Sequence, residues 1–455
     1  MTTTVLETGC CIAGGGPAGI MLGYLLARQG VEVTVLEKHQ DFFRDFRGDT
    51  VHPSTLEVLG ELGLLEDFLQ LPHQTVESVG VVVGNSRLEV ADFRHVPTRC
   101  KFVALMPQWD FLNFLTAHAN RFPTFRLLMQ HEVIDLSTKG RRINGVIARN
   151  AGRQVEIHAD LVVGCDGRHS ITRRAARLEV IEHGVPIDVL WFRISRHPGD
   201  PAEVLGNVNY GKALILINRS DYFQAGLIIP KGSFDQIKAE GIDAFRSTIL
   251  QIVPWLHDRV GELQDWDHVK ILTVQINRLR RWHRPGMLCI GDAAHAMSPA
   301  GGVGINLAIQ DSIAAANLLT QPLLQRRVRN HHLAAVQSRR LFPTWMTQSV
   351  QLAAHRGLAR IFETTGPVHA PWQLKAVTHI PGIHRVLGYA VGMGVRPERI
   401  LEPKQPKHRR TLIAGCICAG IGVAAGVAVC GWATWKICSA TQKKVRTHLR
   451  YGWSS

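Results

Sequence analysis

Apolar and polar positions divide the chain into segments of two different periods. A short apolar run at 8–13 (TGCCIA) has the length of a buried strand, and a glycine-rich turn follows it. Positions 17–29 repeat at helical spacing, and 31–36 (VEVTVL) predicts a second strand ending at Glu37. Strand, turn, helix and strand therefore fit within about 30 residues, the length of one βαβ unit. Residues 54–70 read as an amphipathic helix, with Ser54 as N-cap and Glu57 three positions on. Residues 76–93 alternate like a hairpin, 108–120 are helical, 124–149 read as strands, and 155–164 as a strand pair running into Asp166.

The texture changes near residue 180. Strand-like runs at 188–194, 213–218, 222–230 and 268–276 are interrupted by one helix at about 235–252. A buried strand returns at 286–291, a long helix covers 303–320, and 326–365 is helical. The expected fold is α/β, a Rossmann-like domain with an inserted β-sheet-rich domain, C-terminal helices and a single transmembrane helix. Its parts are a nucleotide-binding domain assembled from 1–75, 104–178 and 281–325, and a sheet domain assembled from 76–103 and 179–280. A helical region (326–403) and an apolar tail (411–435) complete it.

The tail changes the picture most. Residues 411–435 hold no charged side chain over 25 positions, long enough to span a bilayer as a helix. Lys/Arg clusters flank it, Trp432 and Trp435 sit near one end, and Gly422 and Gly426 form a small-xxx-small pair. The expectation is a C-terminal single-pass membrane anchor with the catalytic body facing the cytosol. Apolar packing is the simpler role for Cys416, Cys418, Cys430 and Cys438, with acylation as the alternative.

Composition narrows the class. The chain is 45% hydrophobic and 20% charged, which excludes a disordered, collagen-like or multi-span membrane protein. Of the net charge of +15, nine charges lie in 404–455, leaving six for residues 1–403. No basic stripe marks the folded body as a nucleic-acid binder. Nine dispersed cysteines without a CxxC argue against a disulfide framework or a zinc site. The polar first residues do not form a signal peptide.

Gly14-Gly15-Gly16-Pro17-Ala18-Gly19 is a GxGxxG between a strand and a helix. Gly14 permits the tight turn, Gly16 lets a pyrophosphate approach the backbone, and Gly19 allows the helix to pack on the strand. Glu37, about 20 residues on, can bind both hydroxyls of a ribose, with Lys38 beside it. This motif by itself leaves NAD and FAD open.

Two later segments, GCDGRHSITR (164–173) and GDAAHAMSPAGGVGIN (291–306), follow the first in order. Together the three motifs resemble the FAD-dependent aromatic hydroxylases, the p-hydroxybenzoate hydroxylase-like monooxygenases, over roughly residues 8–400. The resemblance implies that the Rossmann-like domain is an FAD-binding domain of the glutathione-reductase type and the inserted β-sheet-rich domain a substrate domain, with FAD as cofactor, NAD(P)H as transient reductant, and insertion of one atom of O2 through a flavin C4a-hydroperoxide. It implies that Glu37 holds the adenosine ribose, that Arg47 contacts FAD, and that Gln108 contacts the phosphate-ribityl region. Asp166 and Gly167 would sit near the pyrophosphate and the nicotinamide approach, and Asp292 would bind a ribityl hydroxyl. Pro299, Gly301, Gly302, Val303, Gly304, Ile305 and Asn306 would pass the flavin ring, with helix N–H groups facing its N1–C2=O edge.

No acid–base pair or nucleophile is singled out as catalytic. His295 reads as loop scaffold, and Cys165 and Cys289 as inert core thiols. Trp191 with Arg193, and Tyr222 with Gln224, each share one face of a strand and are the substrate-side candidates. The expected partners are a hydrophobic or aromatic substrate, O2 and the membrane, with no nucleic acid. The oligomeric state is left open. Two alternatives stay beside the monooxygenase: a reductase or dehydrogenase of the same fold, such as the prenyl-chain reductases, and a non-catalytic flavin-binding membrane protein. The WxWxIP signature of flavin halogenases is absent.

Overall fold

The computed structural model describes residues 4–43, 50–201, 205–219, 221–364, 366–370, 376 and 378–401. Two sheets organise them. The nucleotide sheet has eight strands, in the order His283–Arg284, Met287–Cys289, Arg153–Gly164, Thr4–Ala13, Val33–Leu36, Phe125–Leu128. Arg142–Asn150 and Glu132–Lys139 extend it off Arg153–Gly164. Its central strands are parallel. Cys10, Cys11, Ile12 and Ala13 are all wholly buried, as expected of a parallel strand covered on both faces. That is why the strand reads as a continuous apolar run and not as an alternation.

The first helix, Pro17–Arg28, starts on a proline, whose missing N–H costs nothing at that position. Its glycines set its distance from the sheet. A Cβ on Gly19 would come within 1.9 Å of the Gly14 carbonyl oxygen, and one on Gly23 within 2.8 Å of the Phe125 ring. The helix therefore lies against the strands more closely than any larger residue permits.

Several expectations are corrected at glycines and prolines. The helix expected at 54–70 is two, Pro53–Glu61 and Leu65–Leu69, broken where Gly63 takes a φ of +71°. Its N-cap is His52, not Ser54, and Glu57 accepts the Arg99 N–H instead of closing a capping box. The helix expected at 235–252 is likewise two, Phe234–Ala239 and Ile242–Ile252, parted by Gly241 at φ +92°. The strand pair expected at 155–164 is one strand, Arg153–Gly164.

The second sheet has seven strands, in the order Lys270–Leu272, Ile187–Ser195, Tyr222–Pro230, Lys212–Asn218, Leu205–Asn209, Ser78–Val83, Ser86–Asp92. Leu205–Asn209 pairs in parallel with Ser78–Val83, so the early hairpin joins the later strands. The two-residue alternation gives this sheet two apolar faces. Leu190, Phe192, Ile194, Phe223, Ala225 and Leu227 pack beneath the helix Ile242–Ile252. Ile187, Val189, Trp191, Ala213 and Ile228 face the other way, against Leu358, Ile361 and Phe362.

Leu358 and Ile361 belong to the last turns of a 32-residue helix, Asn330–Ile361, which runs from one sheet to the other. The expected membrane anchor is corrected here. No helix among the described residues is long and apolar enough to cross a membrane. The two longest show why. Val303–Leu324 buries Asn306, Gln310 and Asp311 in the protein core, and Asn330–Ile361 carries arginines along its length. Residues 411–435 lie outside the described residues.

Candidate functional site

Five parallel strands end at one edge of the nucleotide sheet, and the three sequence motifs lie just past their ends. Backbone hydrogen bonds join the exits: Gly14 N to Leu36 O (2.8 Å), Cys165 N to Ala13 O (2.7 Å), Ile290 N to Gly164 O (3.0 Å), Glu37 N to Leu128 O (2.9 Å). Ligands of open α/β sheets bind at such carboxyl ends.

The glycine turn fits a pyrophosphate. Gly14 has φ +108°, and a Cβ there would lie 2.4 Å from the Cys165 carbonyl oxygen. At Gly16, by contrast, no atom comes within 4 Å of where a Cβ would stand. Gly16 caps the first helix without any side-chain hydrogen bond, so first-turn N–H groups face that open space. Ala18 is buried, and its carbonyl accepts the Ser312 hydroxyl at 2.8 Å, which ties the first helix to Val303–Leu324. Glu37 is half-buried and accepts the N–H groups of Gly15 and His39, both at 3.1 Å. Lys38 is exposed, Gln108 begins the helix Gln108–Ala119 and is half-buried, and Arg47 lies outside the described residues.

Asp166 has a more internal part than its motif suggests. Its Oδ1 accepts the hydroxyls of Ser170 (2.6 Å) and Thr172 (2.9 Å), and its Oδ2 accepts the Thr172 N–H (2.9 Å). It therefore orients the turn in which Gly167, at φ +80°, faces open space. Arg168 was not a sequence candidate. Its Nε donates to Asp292 Oδ2 at 3.1 Å, joining the second motif to the third, and both side chains stay partly exposed. An arginine directly after Asp-Gly was the available signal.

The third motif turns sharply. Gly301 (φ +79°) and Gly302 (φ +63°) hold left-handed conformations that side chains rarely adopt, and Thr50 Oγ1 donates to Gly302 O at 2.9 Å. Val303, Gly304 and Ile305 are partly exposed at the start of the helix Val303–Leu324, whose first turn holds no acidic residue and no side-chain cap. Asn306 points inward, its Oδ1 accepting the hydroxyls of Ser54 (2.7 Å) and Thr55 (2.9 Å). Pro299 precedes the turn and is partly exposed.

Beneath Asp292 lies a buried ionic cluster. Asp311 Oδ2 accepts the Gly291 N–H at 3.1 Å and bonds His295 Nε2, while Oδ1 accepts Arg340 Nε at 2.9 Å. Arg340 also approaches Glu398 at 3.6 Å, and Arg339 bonds Glu398 at 2.7 Å. Burial opposes the charge on Asp311, yet His295 and Arg340 hold its carboxyl below the usual range. His295 is thus part of the scaffold under the motif. Burial pushes the Cys165 and Cys289 thiols well up, which leaves them poor nucleophiles.

Two histidines are buried neutral. His52 bonds the Val391 carbonyl and His355 the Ser298 hydroxyl, and burial pushes both pKa values down to about 4. In the unfolded chain they titrate near 6.5. Above that pH neither state binds the proton. Below it only the unfolded state does, so stability falls from about pH 6.5 towards 4, by up to about 1.4 kcal/mol per pH unit for each histidine. Urea unfolding across that range is expected to show this decline, and His355→Gln to flatten it. A flat profile for the unaltered protein contradicts neutral burial.

On the substrate side, Arg193 pairs with Gln224 and Trp191 with Gly226 across adjacent strands. Trp191, Arg193, Tyr222 and Gln224 thus share one sheet face. The Trp191 ring fills the space above Gly226, where a Cβ would come within 2.9 Å of it. Its buried Nε1 has no hydrogen-bond partner. Gln224 Oε1 accepts both Nε and Nη2 of Arg219, and Arg193 stacks on Tyr222 at 5.0 Å. The same face continues through Ile215 and Ile217, and Ile217 also touches the cluster that holds Leu105 and Met393. Leu105 pairs with Thr50, which binds Gly302, so this apolar wall leads back to the glycine turn.

Known proteins share the sequence family and the fold. Residues 7–350 match the family described as FAD binding domain. The chain is 31% identical over 390 residues to 6-methylpretetramide 4-monooxygenase of Streptomyces rimosus, covering 84% of this chain and 91% of that protein. It is 27% identical over 314 residues to a rifampicin monooxygenase of Streptomyces venezuelae, covering 66% and 61%. Among solved structures, PqsL of P. aeruginosa in complex with 2-aminobenzoylacetate superposes with a TM-score of 0.68 at 23% identity, covering 79% of this chain and all of that one. The OxyS anhydrotetracycline hydroxylase of Streptomyces rimosus superposes at 0.67 with 19% identity, covering 88% and 78%. With its three nucleotide motifs gathered at one sheet edge and this family matched over most of its length, the chain belongs to the FAD-dependent monooxygenases of the aromatic hydroxylase type.

Proposed function

We propose that this monooxygenase uses NAD(P)H and O2 to hydroxylate a planar, largely apolar aromatic substrate held between the seven-stranded sheet and the Pro299–Asn306 turn. The apolar sheet face of Trp191, Ile215 and Ile217, leading to that turn, carries the reading. The relative named for 6-methylpretetramide supports the substrate class. Bound FAD supplies the hydride-accepting and oxygen-activating chemistry. The chain's residues bind, orient and exclude water. Gly14, Gly16 and the N-terminus of Pro17–Arg28 take the pyrophosphate, Glu37 a ribose, and Asp292, paired with Arg168, a ribityl hydroxyl. The N–H groups at Val303–Ile305 would lie along the flavin and stabilise negative charge on it, a stabilisation that grows when water is excluded. Trp191 Nε1, buried with no hydrogen-bond partner among the described residues, is the donor proposed for a substrate oxygen, since leaving such a donor unmet costs about 1–3 kcal/mol.

The test is NADH and NADPH oxidation by the FAD-loaded enzyme under 18O2, with 6-methylpretetramide and smaller hydroxyaromatics as probes. The expected result is substrate-stimulated oxidation with one labelled atom in the product. Reduction of another acceptor, with no label in any product, favours the reductase alternative.

A further inference from the structure

Five positions of the long helix Asn330–Ile361 are polar or charged where an apolar face is expected: Arg340, Thr344, Gln348, Gln351 and His355 are all buried. The last three share one side of the helix and grip one piece of backbone. Gln348 Nε2 donates to the carbonyls of Asn277 (2.7 Å) and Ala296 (3.1 Å). Gln351 engages three groups, accepting the Ser298 N–H at Oε1 (3.1 Å) and donating from Nε2 to Ser298 O and Ala300 O (both 3.0 Å). Ser298 Oγ bonds His355 Nε2 at 2.9 Å and accepts the Ala300 N–H at 3.2 Å. The segment 296–300 is thus held by side chains of a helix distant in sequence, and it delivers Pro299 directly into the Gly301–Gly302 turn. Two turns further along, Leu358 and Ile361 of the same helix join the apolar cluster that contains Trp191.

We infer that Gln351, assisted by Ser298 and His355, is a positioning residue for the monooxygenation: the helix is a strut that sets the flavin-side turn relative to the substrate sheet. This rests on the placement of the flavin beside Pro299–Asn306. An amide is the side chain for this task, because one group supplies the acceptor for an N–H and the donors for two carbonyls. An apolar replacement leaves all three backbone groups unpaired, and the segment moves to satisfy them. Reaction geometry is sensitive to such movement, with about 100-fold in rate at stake for a displacement of 1 Å.

The experiment compares Gln351→Leu with the unaltered FAD-loaded enzyme, using a probe that the unaltered enzyme hydroxylates. The expected result is FAD content within about twofold and substrate KM within about threefold, with kcat for product down about 10- to 100-fold. The fraction of NAD(P)H electrons recovered in product falls, the remainder appears as H2O2, and the visible flavin bands change shape. A lowered melting temperature with kcat, coupling and flavin bands unchanged overturns the inference and leaves Gln351 a purely structural residue. Ser298→Ala removes one hydroxyl and little volume. If Gln351→Leu does not fold, Ser298→Ala decides by the same readouts, with a smaller loss of coupling expected and none overturning the proposal. Gly302→Val tests the flavin placement itself. If it leaves FAD content and the flavin bands unchanged, that placement fails. If it perturbs them while Gln351→Leu and Ser298→Ala do not, only the positioning role fails.

Discussion

Gly16→Val is expected to yield a protein that folds normally and purifies without its yellow colour. The reason is local. Gly16 has φ −76° and ψ −175°, extended backbone open to any residue and well suited to a β-branched one. Apart from its own chain neighbours, no described residue stands within 4 Å of the new Cβ. The added methyl groups therefore meet only what approaches from outside, the pyrophosphate of FAD. A 100-fold loss of FAD affinity, about 2.7 kcal/mol, is a conservative expectation. The flavin-to-protein absorbance ratio and a melting curve test it together. Full flavin occupancy with an unchanged melting temperature sinks the phosphate assignment. Gly14 and Gly19 offer the contrast. Their Cβ atoms would strike backbone oxygen at 2.4 and 1.9 Å, so substitution there costs stability as well as cofactor.

The second large effect is on stability. Arg340→Met is expected to lower the unfolding free energy by about 3–5 kcal/mol, the usual cost of removing one partner from a buried ion pair. Arg340 is 1% exposed and Asp311 wholly buried, so water cannot take over the lost charge. The packing volume of methionine replaces the arginine stem but not the guanidinium between Asp311 and Glu398. Because Asp311 also holds the Gly291 N–H and His295, part of the damage is expected at the third motif, as weaker FAD retention. Urea unfolding of the FAD-loaded variant measures the first effect and cofactor release the second. A loss below about 1 kcal/mol, the level of an exposed ion pair, shows that the cluster is solvated and contributes little.

The candidate site was legible where chemistry demands a particular residue at a particular spacing. Gly14, Gly16, Gly19 and Glu37 follow from what a turn, a phosphate and a ribose need, and the structure brings them to the same sheet edge as 165–167 and 290–292. Asp166 and Asn306 read as ligand residues in their motifs, but their side chains bond Ser170, Thr172, Ser54 and Thr55. Arg168 was not singled out because its partner, Asp292, is 124 positions away. Helix breaks at Gly63 and Gly241 were missed for a different reason. Amphipathic periodicity continues through a glycine, and only the backbone dihedral shows that the chain has turned.

Local pattern was enough to determine the βαβ start and the strand-rich middle, and the resemblance carried by the three motifs implied the FAD-dependent monooxygenase family. Each rests on residues close together in sequence or on motifs whose chemistry tolerates few substitutes. The membrane anchor rested on pattern alone: no helix among the described residues is long and apolar enough to cross a membrane, and 411–435 lies outside those residues. Tertiary structure decided which polar groups face a ligand and which face one another. It also revealed that Arg340, Gln348, Gln351 and His355, unremarkable positions on a charged helix, are buried against the third motif and the helix that follows it. A buried polar side chain looks the same in sequence as a solvated one. Its meaning lies in partners 29 to 71 residues away, which only the packed fold brings within hydrogen-bonding distance.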